Sequence, residues 1–307
     1  MVVWVVWGST YLAIRVADRT IPPFPMAAAR YLTAGLLLYP AAWLAGRRGA
    51  QRQAHPAAGA AGRQAGTQVQ PEALPGARAR SPLAQWAGMA VVGTMLLAFG
   101  NGGVSYAERT LPSGLAALLV ASVPLWMALG DRVINGRRLR PRGWVALALG
   151  LAGIAVVAQP HGTGAVLPVL VVLGASVSWG IGSVLAGRLP APASPLLGSA
   201  MEMLAGGAVL VGLAAATGEA WSGHASGESL LALAYLVGPG SLLALTCYVI
   251  ALRRLPTAVV STYAYVNPVV AVALGSLLLG ERLTVTALVG GAIVVASVAL
   301  LLRESPT

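Results

Sequence analysis

The chain has 307 residues, of which 57% are hydrophobic and only 9% are charged, and its mean hydropathy is +0.77. Soluble globular proteins carry roughly 25% charged residues, so this composition excludes a water-covered surface of ordinary size and indicates a membrane protein. The formal net charge is +11, and every basic residue is an arginine. Because the arginines lie almost wholly between apolar runs, they indicate orientation in a lipid bilayer and not nucleic-acid binding.

Ten apolar runs lie between the charged and Pro/Gly-rich segments, and a bilayer-crossing helix needs about 20 such residues. We therefore predict an all-α polytopic membrane protein with ten transmembrane helices. The predicted helices are Val2–Ala17, Met26–Ala45, Leu83–Ala107, Ser113–Ile134, Gly143–Ala158, Ala165–Ala186, Pro195–Ala216, Ser229–Leu252, Thr257–Leu279 and Leu283–Leu302.

Most arginines fall on the side of the bundle that holds both chain ends. The positive-inside bias therefore predicts that both termini are cytoplasmic. The loop with Glu219, His224 and Glu228 contains no arginine and is predicted to lie outside. A lone cysteine, Cys247, and three scattered histidines give no metal-ligand spacing, so we expect neither a metal site nor a cofactor.

The segment Gly46–Pro82 is rich in Ala, Gly, Arg, Gln and Pro and has almost no large apolar residue. Such a composition cannot bury enough surface to order itself, so we predict a disordered, basic cytoplasmic loop. Two interpretations stay open: a tether to lipid or to a partner, and an insertion that the fold simply tolerates.

The second half of the chain repeats features of the first. One constant spacing aligns Leu111-Pro112 with Leu255-Pro256, Pro124 with Pro268, and Gly136-Arg137-Arg138-Leu139 with Gly280-Glu281-Arg282-Leu283. We predict two repeats, 1–158 and 159–307, with five helices each. Because five is odd, the second repeat enters the membrane from the opposite side, which gives an inverted repeat suited to alternating access.

Several of these motifs resemble the EamA family of the drug/metabolite transporter superfamily. They are Trp7-Gly8-Ser9-Thr10-Tyr11, Pro22-Pro23 with Arg30, the Pro124 helix, Tyr263-Ala264-Tyr265-Val266-Asn267-Pro268 and Gly280-Glu281-Arg282. The resemblance implies two inverted five-helix halves around a central cavity lined by helices 1, 3, 4, 6, 8 and 9. It also implies movement of small metabolites, often outward. The chain departs from the family in its long 46–82 loop and in Arg137, which stands where the second half has Glu281.

Aromatic and polar side chains inside the predicted helices are the candidates for substrate contact, because a lipid-facing helix gains nothing from them. On the first helix Trp7 and Tyr11 share a face with Trp4 and Arg15. Packing between helices is the alternative explanation for the two deep tryptophans, and interhelical hydrogen bonding for the polar residues. The candidates are Trp7, Tyr11, Asn101, Ser105, Trp179, Ser183, Tyr248, Tyr263 and Asn267.

Pro124 and Pro268 occupy equivalent positions in the fourth helix of each repeat. Each removes one backbone hydrogen bond, to the carbonyl of Val120 and of Ala264 respectively, and so permits a kink. Paired hinges or gates are one interpretation, and static kinks are the other.

Arg30 and Glu202 are ionisable residues within apolar helices, at equivalent repeat positions but near opposite leaflets. The sharper hypothesis is that Glu202 binds a proton that is exchanged for substrate. The alternative is a structural ion pair for each residue, with Asp18 or Glu108 near Arg30, and Arg188 or Arg254 near Glu202.

These features predict a multi-pass carrier of the bacterial inner membrane that exports a small-molecule substrate by alternating access. The cavity suits amino acids, related zwitterions or drugs. The chain has no lysine and no phosphate-binding Gly-rich loop, which excludes a P-loop ATPase. Coupling to protons, oligomeric state, and the alternatives of a membrane-embedded lipid-processing enzyme or a channel stay open.

Overall fold

A computed structural model describes residues 2–54, 81–157, 166–248 and 263–303. Within these ranges the chain forms ten helices and no strand. The helices are α1 (Val2–Ala17), α2 (Pro23–Ala54), α3 (Pro82–Glu108), α4 (Ser113–Asn135), α5 (Pro141–Val157), α6 (Val166–Ala186), α7 (Pro195–Thr217), α8 (Gly227–Tyr248), α9 (Tyr263–Leu279) and α10 (Val285–Leu302).

Five of these helices, α3, α4, α6, α7 and α8, are long and apolar enough to cross a membrane, and four others are apolar but shorter. The predicted all-α polytopic fold is confirmed. The main difference lies in α2, which continues past the predicted end at Ala45 to Ala54 and so enters the segment predicted to be disordered. The rest of that segment, from 55 to 80, lies outside the described residues.

Local sequence signals set several helix ends. The Ser194 side chain caps α7 by accepting a hydrogen bond from the Leu197 amide at 3.4 Å, and Pro195 begins the helix with its fixed backbone angle. Gly218 ends α7 in the left-handed conformation, at φ 70°, which glycine adopts without a steric penalty. These signals explain why the predicted and observed bounds of α7 agree so closely.

The first helix of each half packs against helices of the other half. α1 packs on α9 and α8, while α6, its counterpart in the second half, packs on α4 and α3. The second helices, α2 and α7, pack on each other, and so do the fifth helices, α5 and α10. This is the pattern expected of a two-fold relation between halves, with each first helix lying against the third and fourth helices of the other half.

Glycines allow the two crossed contacts of the first helices. A Cβ on Gly8 would lie 2.6 Å from the Cβ of Val270 in α9, and a Cβ on Gly180 would lie 2.7 Å from the Cβ of Trp126 in α4. Real Cβ atoms do not approach so closely, so any larger residue at either position must push the helices apart.

The two prolines differ in structure. α4 is interrupted at residues 121–122, just before Pro124, and Ser122 holds this break by donating to the Leu119 carbonyl and accepting from the Trp126 indole. α9 continues through Pro268 without interruption. The equivalence of the two positions in sequence is thus not matched in helix geometry, and a hinge role for either stays a prediction.

The third helices, α3 and α8, each contain a π-helical segment. These segments are Thr94–Asn101 in α3 and Gly238–Leu243 in α8. A π-turn places one extra residue in the turn and redirects the side chains near it, and such turns are frequent at functional sites. Hydropathy does not distinguish a π-helical segment from an α-helix, so these two segments were not predicted from the sequence.

Candidate functional site

Three of the predicted substrate contacts form one aromatic cluster. The Trp7 ring in α1 lies 5.2 Å from the Tyr248 ring in α8 and 5.2 Å from the Tyr263 ring in α9. The two tyrosine rings are 5.9 Å apart in an edge-to-face arrangement. All three residues are partly buried. The cluster therefore joins helices from both halves, and its rings present the apolar and quadrupolar surfaces that bind amphipathic molecules.

Trp179 occupies the corresponding position on α6 but has different neighbours. Its ring lies against Gly100 in the π-helical segment of α3, where an added Cβ would be 2.9 Å from the ring. The hydroxyl of Ser183 donates to the Trp179 carbonyl at 2.7 Å, so it bonds within its own helix. The structure thus places Trp179 against the residue that precedes Asn101, while the hydroxyl of Ser183 bonds within α6.

Asn267 joins α9 to α1. With the amide nitrogen facing the two carbonyls, it donates to Tyr263 O at 3.2 Å and to Trp4 O at 3.0 Å. The residue is 9% exposed. These two hydrogen bonds use both N–H donors of the Asn267 amide and join α1 to the turn of α9 before Pro268. The side-chain oxygen of Asn267 is the atom of its amide that is left for a substrate.

Arg30 forms a polar cluster with the two π-helical segments. Its Nε donates to Ser241 Oγ in α8 at 3.0 Å, and its Nη1 donates to Asn101 Oδ1 in α3 at 3.4 Å. Ser241 in turn donates to the Leu236 carbonyl at 2.9 Å. The expectation that Asp18 or Glu108 would pair with Arg30 is wrong, because the guanidinium donates instead to neutral oxygens of α3 and α8.

Several carboxyl and hydroxyl groups are buried without a hydrogen-bond partner among the described residues. They are the carboxyl oxygens of Asp18 and Glu108 and the hydroxyl of Ser105. Glu108 and Ser105 are fully buried in α3, and Tyr11 is partly buried in α1. Ser105 thus lies on α3 with Asn101 and makes no interhelical hydrogen bond among the described residues, and its contact with a substrate stays a prediction.

A cavity of about 390 Å³ opens at the end of the bundle that is predicted to face outward. Its described lining is Arg15, Asp18, Arg19, Arg109, Leu279 and Glu281, which includes none of the predicted substrate contacts. Asp18 lies in the turn that follows α1. Burial and the nearby Glu219 carboxylate raise its pKa from 3.8 to about 8, although Arg109 and Arg15 act in the opposite direction.

The carboxylates of Glu219 and Glu281 at this end of the bundle are both hydrogen-bonded. Glu219 accepts from the Phe24 amide at 3.0 Å and pairs with Arg109 at 3.3 Å. Glu281 accepts from Ser113 N and Oγ, both at 2.9 Å, and so caps α4. Glu281 is therefore a capping residue from the second half, a role that its motif in the sequence did not reveal.

Glu202 lies in α7, and its backbone carbonyl contacts Gly93 of α3. Within the described part of the chain its carboxyl makes no ion pair and no hydrogen bond. Arg188 is exposed and does not pair with it, while Arg254 lies outside the described residues. The structural ion pair considered for Glu202 is thus not formed by Arg188.

Comparison with known proteins places this architecture in a family. The profile of the EamA-like transporter family matches residues 71–159 and 166–303. The chain belongs to the EamA-like transporter family. It is a membrane transporter, and the family resemblance seen in its motifs is confirmed.

Individual relatives agree with this placement. The EamA-family chain is 36% identical over 289 residues to the uncharacterized inner membrane transporter YedA of Escherichia coli (strain K12), covering 92% of this chain and 82% of YedA. It is 27% identical over 208 residues to the uncharacterized transporter YvbV of Bacillus subtilis (strain 168), covering 64% of this chain and 65% of YvbV. A solved crystal structure matches with a TM-score of 0.60 and 22% identity over 100% of this chain and 96% of that one, which supports the fold.

Proposed function

We propose that this EamA-family transporter is a secondary carrier that exports small organic metabolites by alternating access between its two halves. The observation that carries the proposal is that the first helix of each half lies against the other half. α1 packs on α9 and α8, while α6 packs on α4 and α3. A solute bound between the halves therefore contacts both, and a shift of one half against the other changes which side it faces.

The aromatic cluster supports a small organic substrate. Trp7, Tyr248 and Tyr263 come from three helices of both halves, so a molecule in contact with their rings senses the relative position of the halves. Differential contact of this kind is what lets a ligand shift a conformational equilibrium. Asn101, Trp179 and the oxygen of Asn267 are the further proposed contacts, and amino acids and related compounds are the proposed substrate class.

Counterflow through proteoliposomes tests the proposal. Vesicles with purified protein are loaded with amino acids, nucleosides and amines, and mass spectrometry follows the loss of each compound with and without the same compound outside. We expect selective efflux that external substrate accelerates, because exchange skips the slow return of the empty carrier. Efflux without such acceleration would indicate a channel, and absence of efflux together with turnover of added lipid would indicate an enzyme.

A reversible crosslink makes the test conformational. Arg19 after α1 and Glu228 in α8 form an exposed ion pair at 3.2 Å between the two halves, whereas Arg137 and Asp131 pair at 3.4 Å within one half. Each pair is replaced by cysteines in a Cys247→Ser background and linked by a cleavable bis-methanethiosulfonate. We expect the 19–228 link to stop efflux until it is reduced, and the 131–137 link to leave efflux unchanged.

A further inference from the structure

Arg30 is a buried positive charge without a buried negative partner. It is 5% exposed, and its two hydrogen bonds go to the neutral oxygens of Ser241 and Asn101. Among the described residues no carboxylate pairs with it. The ring of Tyr31 lies 4.9 Å from the guanidinium carbon. A buried charge that no carboxylate neutralises is still costly, and intramembrane charges of this kind mark functional sites.

The guanidinium lies between the two halves of the bundle. Asn101 ends the π-helical segment of α3 and Ser241 lies within that of α8, so both redirected turns point polar atoms at the same group. Arg30 itself comes from α2, a helix outside the set expected to line the cavity. It therefore reaches inward from behind the two third helices.

Both deep tryptophans lie near this cluster. A Cβ on Gly240 would lie 3.6 Å from Arg30 Nη2 and 3.2 Å from Thr10 Cγ2, and Thr10 donates to the carbonyl of Trp7 one turn away. On the opposite side, Gly100 precedes Asn101 and contacts the Trp179 ring. Arg30 thus lies near the turn of α1 that carries Trp7, and its partner Asn101 follows the glycine that contacts the Trp179 ring.

We propose that Arg30 binds a carboxylate of the transported compound, which makes the substrates monocarboxylates such as amino acids. A guanidinium has five N–H donors in a fork that matches a carboxylate, and two of them donate to other residues in the described part of the chain. The 3.4 Å bond to Asn101 is the weaker of the two, so a carboxylate oxygen displaces Asn101 and retains the Ser241 contact. Arg30 is the one cation in its hydrogen-bonded cluster with Asn101 and Ser241, which favours one negative charge over the two of a phosphate monoester.

This inference rests on the proposed transport function and is tested with a paired pool. Proteoliposomes are loaded with equimolar amino acids and their primary carboxamides, which keep the side chain and amine but lack the carboxylate. We expect the wild type to release acids at least tenfold faster than the matching amides. Arg30→Gln should lower acid efflux at least tenfold, and Arg30→Lys should fall between the two, because it keeps the charge but loses the fork.

Arg137→Gln is the matched control, because it removes an arginine that is 81% exposed at its side chain and lies just after the end of α4. It should keep the wild-type preference. Thermal unfolding in detergent checks that Arg30→Gln is folded. If it is not folded, the preference of the wild type for acids over amides and the efflux of Arg30→Lys test the role of Arg30. Equal release of acids and amides by the wild type, or an unchanged preference in folded Arg30→Gln, overturns the role of Arg30 while transport stands. Release of neither class, together with no release of nucleosides or amines, overturns the transport function itself.

Discussion

The backbone of Gly153 in α5 meets the backbone of Gly290 in α10. A Cβ added to either glycine would lie 2.9 Å from the carbonyl oxygen of the other. The fifth helices of the two halves therefore approach as closely as their main chains allow, and they do so at small residues, as membrane helices commonly do. This contact joins a helix of the first half to a helix of the second half.

Replacing either of these glycines should destabilise the bundle. We expect Gly153→Leu and Gly290→Leu each to lower the free energy of unfolding by about 1–3 kcal/mol, because the added side chain must separate the helices. Gly174→Leu is the control, since Gly174 in α6 is exposed and has open space at its Cβ. Unfolding followed by circular dichroism in detergent measures the effect, and equal stability of all three variants would contradict the prediction.

Asn267→Leu should loosen α1 from α9. The amide donates to the Tyr263 carbonyl within α9 and to the Trp4 carbonyl of α1, and an interhelical hydrogen bond in a membrane is worth about 0.6 kcal/mol, with roughly 1.7 as the upper end. We expect a loss of about 1 kcal/mol. Ser183→Ala is the control, because its hydroxyl donates to the Trp179 carbonyl of its own helix. If Asn267→Leu is as stable as the wild type but raises the KM of transport, the residue acts through substrate contact alone.

Helix positions were predictable because their signals are local. The ten apolar runs, the Ser194-Pro195 start and the Gly218 end of α7 depend only on neighbouring residues. The far end of α2 was missed because its last residues have no apolar periodicity, yet they continue a helix begun inside the bundle.

Partners across helices were not predictable to the same degree. Arg30 was expected near Asp18 or Glu108 on grounds of depth alone. Depth does not say which face of a helix meets which neighbour, and the π-helical segments turn Asn101 and Ser241 toward Arg30 instead. Ser241 carries no special signal in the sequence, since it is a serine in an apolar run, and its role emerges only when α2 and α8 are packed.

Asp18 should make the stability of the protein fall as pH rises. Its carboxyl is buried without a partner, and its pKa is raised from 3.8 to about 8. A raised pKa means that the folded state holds the proton more tightly, so its stabilising effect is complete below 3.8, declines as pH rises, and is lost above about 8. We expect the thermal midpoint of the wild type in detergent to drop steadily from about pH 4 to about pH 8 and then to level off.

Asp18→Asn tests the assignment of that pH dependence. The amide cannot ionise, so the variant should lose most of the fall and should be more stable than the wild type at about pH 8. Glu228→Gln is the control, because Glu228 forms only an exposed ion pair with Arg19. A fall in Asp18→Asn that runs parallel to the wild type would assign the titration to another group, with Glu108 the first alternative.

Glu202 should carry the proton if transport is coupled to one. A carboxyl that is free of ion pairs among the described residues can gain and lose a proton without breaking a salt bridge, whereas Glu219 is tied to Arg109 and to the Phe24 amide. We expect an imposed pH gradient to accelerate substrate efflux from proteoliposomes, and Glu202→Gln to reduce that acceleration at least tenfold while counterflow without a gradient persists. Glu219→Gln should keep the gradient response even if it is less stable. Full acceleration in Glu202→Gln would remove Glu202 from coupling, and an absent gradient effect in the wild type would indicate facilitated diffusion.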